Sequence, residues 1–177
     1  MELDARRLRR MLDQQEITDV IHRYCRGIDR CDFDLVRSCY HPDGTDDHGD
    51  FVGGIDEFIA YVQDNLSTFE RTMHFIGNLL IEPDGDRARV ESYVIAHHRL
   101  PARGSKGVRD YNVGLRYVDD FERRNGEWRI AARACTFDWW RIDDIELGKW
   151  VPAPGSATGR RDHDDLVFAP SIATWRG

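Results

Sequence analysis

The chain has 177 residues, which suits one domain and leaves little room for a second. Hydrophobic residues make up 41% of the chain and charged residues 32%, a balance typical of globular proteins and not of disordered ones. The formal net charge of −7 argues against a general affinity for nucleic acid or for anionic membrane surfaces.

Two further features bear on where the protein acts. No stretch approaches the roughly 20 apolar residues of a membrane span, and no apolar run follows the charged N-terminus, so a secretory signal is not expected. The four cysteines match no zinc-binding or redox spacing. We therefore expect a cytoplasmic protein, with no membrane partner, whose cysteines stay reduced and mostly fill the core.

The first part of the chain is predicted to be helical. Residues 3–28 carry apolar side chains at helical spacing, and Asp29 lies at the end of that face. A short helix over residues 32–40 follows, then a turn and a polar run over residues 45–53 that is at most a weak edge strand. Residues 55–66 have the spacing of a third helix.

The periodicity then changes to that of β-strands. Residues with β-branched and aromatic side chains predict strands over residues 72–81, 87–100, 111–121 and 128–140. Asn125-Gly126 marks a tight hairpin, because this pair tolerates the positive φ of a type I′ turn. Helices followed by a meander of long antiparallel strands predict an α+β fold, in which a strongly curved sheet wraps around the helices.

This pattern divides the chain into a domain over residues 1–141 and an irregular extension over residues 142–177. The extension is rich in proline, glycine and charged residues. Its apolar residues include Trp150, Phe168 and Trp175, so we expect it to dock on the body or on a neighbouring subunit.

Few residues suggest chemistry by their pattern. The sequence lacks a glycine-rich nucleotide loop, a nucleophile elbow and a paired-histidine zinc motif, so we expect no cofactor and no metal. His97 and His98 are adjacent, and in a strand their side chains face opposite sides. What remains is a set of polar residues within apolar elements: Tyr24, Asp29, His74, His98 and Arg133.

Residue types alone favour ordinary structural roles for these five residues. An acid at the C-terminal end of a helix is usually solvated, although it lies at the unfavourable end of the helix dipole. A single strand histidine is more often a hydrogen-bonded core residue than a catalyst. An arginine in a strand can pair with a carboxylate across the sheet, and a tyrosine is more often a core aromatic.

Three segments change this balance, because in order and spacing they resemble SnoaL-like proteins of the nuclear-transport-factor-2-like superfamily. They are the helix motif Tyr24-Cys-Arg-Gly-Ile-Asp29, the strand Thr72-Met-His74-Phe-Ile-Gly-Asn78 and the hairpin over residues 117–130. The resemblance covers residues 8–140. It implies a cone-shaped α+β barrel, in which N-terminal helices pack in a strongly curved mixed or antiparallel sheet.

The resemblance also implies roles for the polar residues. In the lyases of this family, such as hexachlorocyclohexane dehydrochlorinase, bile-acid 7α-dehydratase and scytalone dehydratase, a carboxylate orients a histidine that abstracts a proton from carbon. Asp29 and His74 match that pair, and Tyr24 matches the tyrosine of the dehydratases. Arg133 matches an arginine near the dehydrochlorinase pocket. His98 lies near a second polar position of the dehydratase pocket.

The resulting hypothesis is a cofactor-independent β-elimination on a hydrophobic cyclic small molecule. Histidine suits proton abstraction, because its reference pKa of about 6.5 is close to working pH. Tyr24 would donate a hydrogen bond to the developing oxyanion or to the leaving group, with Arg133 or His98 assisting. The residues expected to contact a flat hydrophobic substrate are Phe33, Phe75, Tyr93, Phe137 and Trp139.

Other functions fit the same residues. An isomerase or a polyketide-cyclase-like enzyme would use the same base, whereas a ligand-binding module or the small subunit of a ring-hydroxylating dioxygenase would catalyse nothing. Fold alone does not decide among these. We also expect a homo-oligomer, a trimer or a dimer, because a curved sheet with aromatic residues on its outer face needs covering. The run Asp46-Asp47-His48 receives no role.

Overall fold

The computed structural model describes residues 4–146 and 153–172. Within these residues three helices and six strands follow one another, and a short 3₁₀ turn lies at Leu166–Phe168. None of the described helices is long and apolar enough to cross a membrane. The elements are α1 Ala5–Arg30, α2 Phe33–Ser38, β1 Tyr40–Asp47, β2 Val52–Gly54, α3 Ile55–Leu66, β3 Arg71–Asp84, β4 Arg87–Leu100, β5 Arg109–Arg124 and β6 Glu127–Asp144.

The six strands form one curled, unclosed sheet in the order β2-β1-β6-β5-β4-β3. Strands β3 to β6 are an antiparallel meander, whereas β1 pairs in parallel with β6. The N-terminal helices pack against this sheet, and the predicted α+β cone is confirmed. Asn125 and Gly126 both have positive φ at the β5–β6 hairpin, as the sequence predicts.

The main error in the predicted elements is β1. Residues 41–45 were expected to be a turn and residues 45–53 a weak edge strand, but β1 is paired on both sides, with β2 and β6. Its polar residues were misleading because the buried Asp46 is satisfied by tertiary contacts, including a hydrogen bond from Tyr40. The last strand also continues past residue 140 to Asp144, across the expected domain end at residue 141.

The core lies between α1, α3 and the concave face of the sheet. The buried face of α1 includes Ile17, Ile21 and Tyr24, but Leu8 and Leu12, which share the apolar spacing, are exposed. The amphipathic pattern of α1 thus begins before the helix reaches the sheet. The largest fully buried side chains are aromatic: Tyr24, Tyr40, Tyr117, Phe58 and Phe121.

The described part of the C-terminal extension contacts the body near the end of α1. Arg30 pairs with Asp165 at 2.7 Å, and Arg161 donates to the carbonyl of Leu66 at 3.0 Å. The Arg26 guanidinium lies 5.1 Å from the centre of the Phe168 ring. Two of the apolar residues expected to dock, Trp150 and Trp175, lie outside the described residues.

A buried carboxylate ties α1 to the β5–β6 hairpin. Asp13 is 3% exposed and accepts a hydrogen bond at 3.0 Å from the indole nitrogen of Trp128. Arg123 pairs with the same carboxylate oxygen and lies over the Trp128 ring, 4.9 Å from its centre. The charge of Asp13 is therefore compensated where helix and hairpin meet.

We expect Asp13→Ala to lower the free energy of unfolding by about 2–4 kcal/mol, because it leaves the buried indole N–H of Trp128 without an acceptor and removes the ion-pair partner of Arg123. Urea denaturation followed by circular dichroism measures the loss. Asp19→Ala on the exposed face of the same helix is the matched control. Equal stability of the two variants would show that the Asp13 contacts contribute nothing.

Candidate active site

The end of α1 is held close to the sheet by a tight contact between helices. A Cβ on Gly27 would lie 2.7 Å from Cγ2 of Val36, so only glycine lets α2 fold back so closely. The helix ends at Cys31, which has a left-handed conformation with φ of 52°. Asp29, in the last turn, is thereby buried and directed at β3.

Asp29 contacts His74 through both carboxylate oxygens. Oδ2 accepts the backbone N–H of His74 at 2.9 Å, and Oδ1 lies 2.8 Å from the ring atom Nδ1. Because a carboxylate only accepts hydrogen bonds, Nδ1 carries a proton, and in the neutral ring Nε2 has the free lone pair. The predicted pair is thus in contact, with the imidazole oriented as a proton acceptor.

The pKa of Asp29 reflects two opposing influences. Burial raises the pKa of the carboxyl, but the hydrogen bonds and charge of His74 outweigh burial, and the pKa ends below its ordinary value. Asp29 is therefore ionised at neutral pH and can stabilise an imidazolium on His74.

A cavity of about 510 Å³ opens beside His74, between the helices and the inner face of the sheet. Its size falls in the range of small-molecule sites. Most of the lining is apolar or aromatic, including Tyr61, Phe69, Tyr111, Tyr117, Phe137 and Trp140. The polar lining residues are Tyr24, His48, Asp50, Asn65, His74 and His98.

His98 faces this cavity from β4, on the same side of the sheet as His74. The two rings meet edge to face with centres 5.6 Å apart, and Phe69 lies 4.7 Å from the His98 ring. Burial, assisted by His74, lowers the pKa of His98 to about 3, so the ring is neutral at neutral pH. Within residues 4–146 and 153–172 its buried Nδ1 has no hydrogen-bond partner.

Tyr24 lines the cavity, whereas Arg133 lies behind it. The Arg133 guanidinium is 4.1 Å from the Tyr24 ring centre and 4.0 Å from that of Tyr117. Arg133 also forms two 2.8 Å hydrogen bonds with Asp119, and its side chain is fully buried. Burial raises the pKa of Tyr24 well above its usual range, so its phenol stays protonated.

The expected contact between Arg133 and a leaving group is therefore corrected. Arg133 does not line the cavity, because its charge is neutralised by Asp119 and its faces are covered by tyrosine rings. Its place is that of a support for Tyr24 and Tyr117.

Of the five aromatic residues expected to contact substrate, Phe137 lines the cavity and the other four do not. Phe75 and Tyr93 alternate with the inward-facing His74 and Val94, so they lie on the outer face of the sheet. Phe33 packs against the core at the start of α2.

Trp139 is on the outer face because of a β-bulge. Leu115 pairs with Phe137 and Gly114 with Trp139, which leaves Asp138 as an extra residue in β6. The Trp139 indole then covers Gly114, where a Cβ would lie 2.1 Å from its ring nitrogen. The bulge brings Trp140 into the cavity in place of Trp139.

Sequence reasoning missed one group of cavity residues. His48 lines the cavity, its Nδ1 is 2.7 Å from Asp46 Oδ1, and Cys135 Sγ is 3.3 Å from the same nitrogen. The potential ligand atoms of these three residues lie within 4.8 Å of one another, as metal ligands could. The spacing of two between Asp46 and His48 in an extended run was the available signal.

The buried neutral state of His98 predicts acid sensitivity. Its folded pKa of about 3 is below the unfolded value near 6.5, so its contribution to stability is complete above about pH 6.5 and is lost as pH falls toward 3. In His98→Gln, we expect the drop in unfolding free energy between pH 7 and pH 5 to be smaller than in the wild type by about 2 kcal/mol.

Urea titrations at the two pH values measure this difference. His97→Gln, one residue earlier and on the other face of β4, is the matched control. An unchanged pH slope in His98→Gln would mean that His98 is solvated.

Comparisons with known proteins agree with this architecture. The family model for the SnoaL-like domain matches residues 9–134. No curated protein sequence matches the chain significantly.

Solved structures are similar at low identity. The Kfla4162 protein from Kribbella flavida is 24% identical, with a TM-score of 0.69 over 74% of this chain and 94% of that one. A hexachlorocyclohexane dehydrochlorinase, LinA-type3 from Novosphingobium barchaimii LL02, is 18% identical, with a TM-score of 0.69 over 82% and 98%. A scytalone dehydratase-like protein from Novosphingobium aromaticivorans is 18% identical, with a TM-score of 0.66 over 83% and 97%. At these identities the likeness shows the fold alone.

Proposed function

Because the chain belongs to the SnoaL-like domain family, we propose that it is a cofactor-independent lyase that performs a dehydratase-type β-elimination. The observation that carries the proposal is the 2.8 Å contact between Asp29 and His74 beside a largely apolar cavity. Fold neighbours that are a dehydrochlorinase and a dehydratase-like protein support the reaction class.

In this proposal His74 is the base. Its Nε2 removes a proton from a substrate carbon next to an activating group, and the ionised Asp29 stabilises the resulting imidazolium. Tyr24 stays protonated and donates a hydrogen bond to the developing oxyanion. A positioned donor in a dry site contributes roughly 3–4 kcal/mol to the transition state. His98 stays neutral beside the base and does not compete for the proton.

The lining favours a flat, hydrophobic cyclic substrate. Aromatic side chains from α3, β5 and β6 face the cavity, among them Tyr61, Tyr111 and Phe137. Within the described residues, no arginine or lysine side chain lines it, so a strongly anionic substrate is disfavoured. A steroid, polyketide or aryl compound of small size suits a volume of about 510 Å³.

Asp29→Asn tests the orienting acid. We expect it to keep the fold and to lower turnover by at least about a hundredfold, because an amide can no longer hold the tautomer and charge of His74. Ultraviolet absorbance during incubation with hydroxylated aryl, steroid and polyketide compounds measures turnover as the new double bond conjugates. Asp34→Asn, an exposed acid five residues along, is the control. Near-normal turnover in Asp29→Asn would refute the pair.

His74→Gln tests the base itself. We expect a folded protein with negligible turnover, because glutamine retains a hydrogen-bonding side chain but accepts no proton near neutral pH. Circular dichroism checks the fold beside the same absorbance assay. A His74→Gln protein that turns over substrate would assign the base elsewhere, and one that binds compounds as the wild type does, with no turnover in either, would favour a binding module.

We further propose that the outer face of the sheet forms a homo-oligomer. Its exposed apolar side chains lie together on β3, β4 and β6: Met73, Phe75, Tyr93, Ile95 and Trp139. Contiguous apolar patches of this kind mark contacts between proteins.

Phe75→Glu tests this face. We expect it to lower the mass measured by light scattering from that of a dimer or trimer to the 20.6 kDa of one chain, because the charge would be buried without a partner. Val52→Glu, on the exposed β2 at the other sheet edge, is the control. A wild-type mass of 20.6 kDa would refute the assembly.

A further inference from the structure

A second histidine of the cavity is held by a second buried aspartate. His48 follows β1, and its ring packs 5.3 Å from that of Phe58 and 6.3 Å from that of Tyr117. Its Nδ1 lies 2.7 Å from Asp46 Oδ1, while Asp46 Oδ2 accepts the Tyr40 hydroxyl at 2.6 Å. Cys135 Sγ lies 3.3 Å from Nδ1 and 3.7 Å from Nε2, so Nε2 has only this weak sulfur contact and is the ring nitrogen left for a ligand in the cavity.

The protonation state of Asp46 and His48 depends on which positive charge compensates the buried carboxylate. The side chain of Asp46 is fully buried, and in the described part of the chain His48 is its one ion-pair partner. The nearby Arg133 is bonded to Asp119 through Nε and Nη2, and within the described residues it forms no ion pair with Asp46. Asp46 is buried more completely than Asp29, whose side chain is 11% exposed and which also accepts a backbone N–H, so the need for a cation is greater at Asp46 and we place the proton on His48.

The pKa values agree with this assignment. Burial alone would lower the pKa of His48, but the neighbouring Cys135 and Asp46 raise it above its ordinary value. Burial also raises the pKa of the Cys135 thiol, which is uncharged at neutral pH. The charge that holds the proton on His48 at neutral pH is therefore that of Asp46.

A metal site is the competing interpretation of Asp46, His48 and Cys135. Ligand atoms about 2.0–2.2 Å from one zinc ion in tetrahedral geometry are more than 3 Å apart. The 2.7 Å between Asp46 Oδ1 and His48 Nδ1 is shorter and is the length of a hydrogen bond. The geometry favours a proton between these atoms.

We propose that His48, held by Asp46, is the acid of this cavity and donates a proton from Nε2 to the leaving oxygen of the substrate. This inference rests on the proposed elimination by His74. As His74 takes the carbon-bound proton, the C–H electron pair forms the C=C bond and the C–O bond breaks with its pair on oxygen. The proton from His48 turns the leaving hydroxyl into water, and solvent then returns His74 and His48 to their starting states.

The two Asp–His pairs thus divide the acid and base roles. Both histidines line the cavity with Nδ1 bonded to an aspartate, so in this proposal His74 presents a free Nε2 lone pair and His48 an Nε2–H. Opposite protonation states of two groups in one site are what acid–base catalysis requires.

The protonation of His48 is measured by NMR titration of histidine ring signals in the whole protein, with His48→Gln to assign the resonance. We expect an imidazolium that persists above about pH 8, and a midpoint that falls to about 6.5 or below in Asp46→Asn. Asp47→Asn, the exposed neighbour, is the control and leaves the midpoint unchanged. A wild-type midpoint below about pH 7 overturns the inference.

Added Zn²⁺ tests the metal interpretation on the same samples. We expect the wild type to bind no more Zn²⁺ per chain than the Cys135→Ser variant does. One zinc ion per chain, lost in Cys135→Ser, would replace the acid with a metal site and overturn the inference.

The role of His48 is separated from that of His74 by two readouts on cyclic β-hydroxy ketones in D₂O: exchange of the carbon-bound proton, and elimination. We expect His48→Gln to retain exchange and lose elimination at least about a hundredfold, whereas His74→Gln loses both. Elimination at the wild-type rate in His48→Gln overturns the inference. If neither variant loses elimination or exchange, the proposed function is refuted. The titration still decides the charge of His48 in that case.

Discussion

The contact between Asp29 and His74 connects the end of α1 to the sheet, and the same contact orients the imidazole of the candidate site. The Asp29 carboxylate accepts hydrogen bonds from the backbone N–H of His74, near the start of β3, and from its ring Nδ1–H. The same contact positions the end of α1, which determines where the floor of the cavity lies. Its position depends on Gly27, since any side chain there would push α2 away and rotate the last turn of the helix.

Behind the cavity, buried charged side chains and aromatic rings determine which side chains of the site are protonated. Arg133 and Asp119 neutralise each other, and the tyrosine rings on either side of the guanidinium shield them from the cavity. Asp46 is left without an arginine and depends on His48. Burial alone would favour neutral forms throughout, so the charged groups that remain are those with a bonded partner.

The sequence predicted the elements whose periodicity is regular. The three helices, the four strands of the meander and the Asn125-Gly126 turn follow from spacing, and the proximity of Asp29 and His74 follows from the family resemblance. The strand β1 and the His48 cluster were missed, because Asp46 is buried and His48 contacts Cys135 through packing that forms only in the folded chain. Arg133 was misplaced for the same reason: its partner Asp119 becomes adjacent only when β5 pairs with β6.

Because of the bulge at Asp138, one short stretch of β6 lines the cavity on one face of the sheet and belongs to the proposed assembly surface on the other. One additional residue in β6 determines which of the two neighbouring indoles faces the cavity: Trp140 does, and Trp139 lies on the outer face of the sheet. In homologues that gain or lose a residue here, the aromatic side chain that lines the cavity would move to the outer face of the sheet, and its neighbour would take its place in the cavity. Changes in ligand preference and in quaternary structure can therefore arise together, from a single insertion or deletion, without any substitution in the interior.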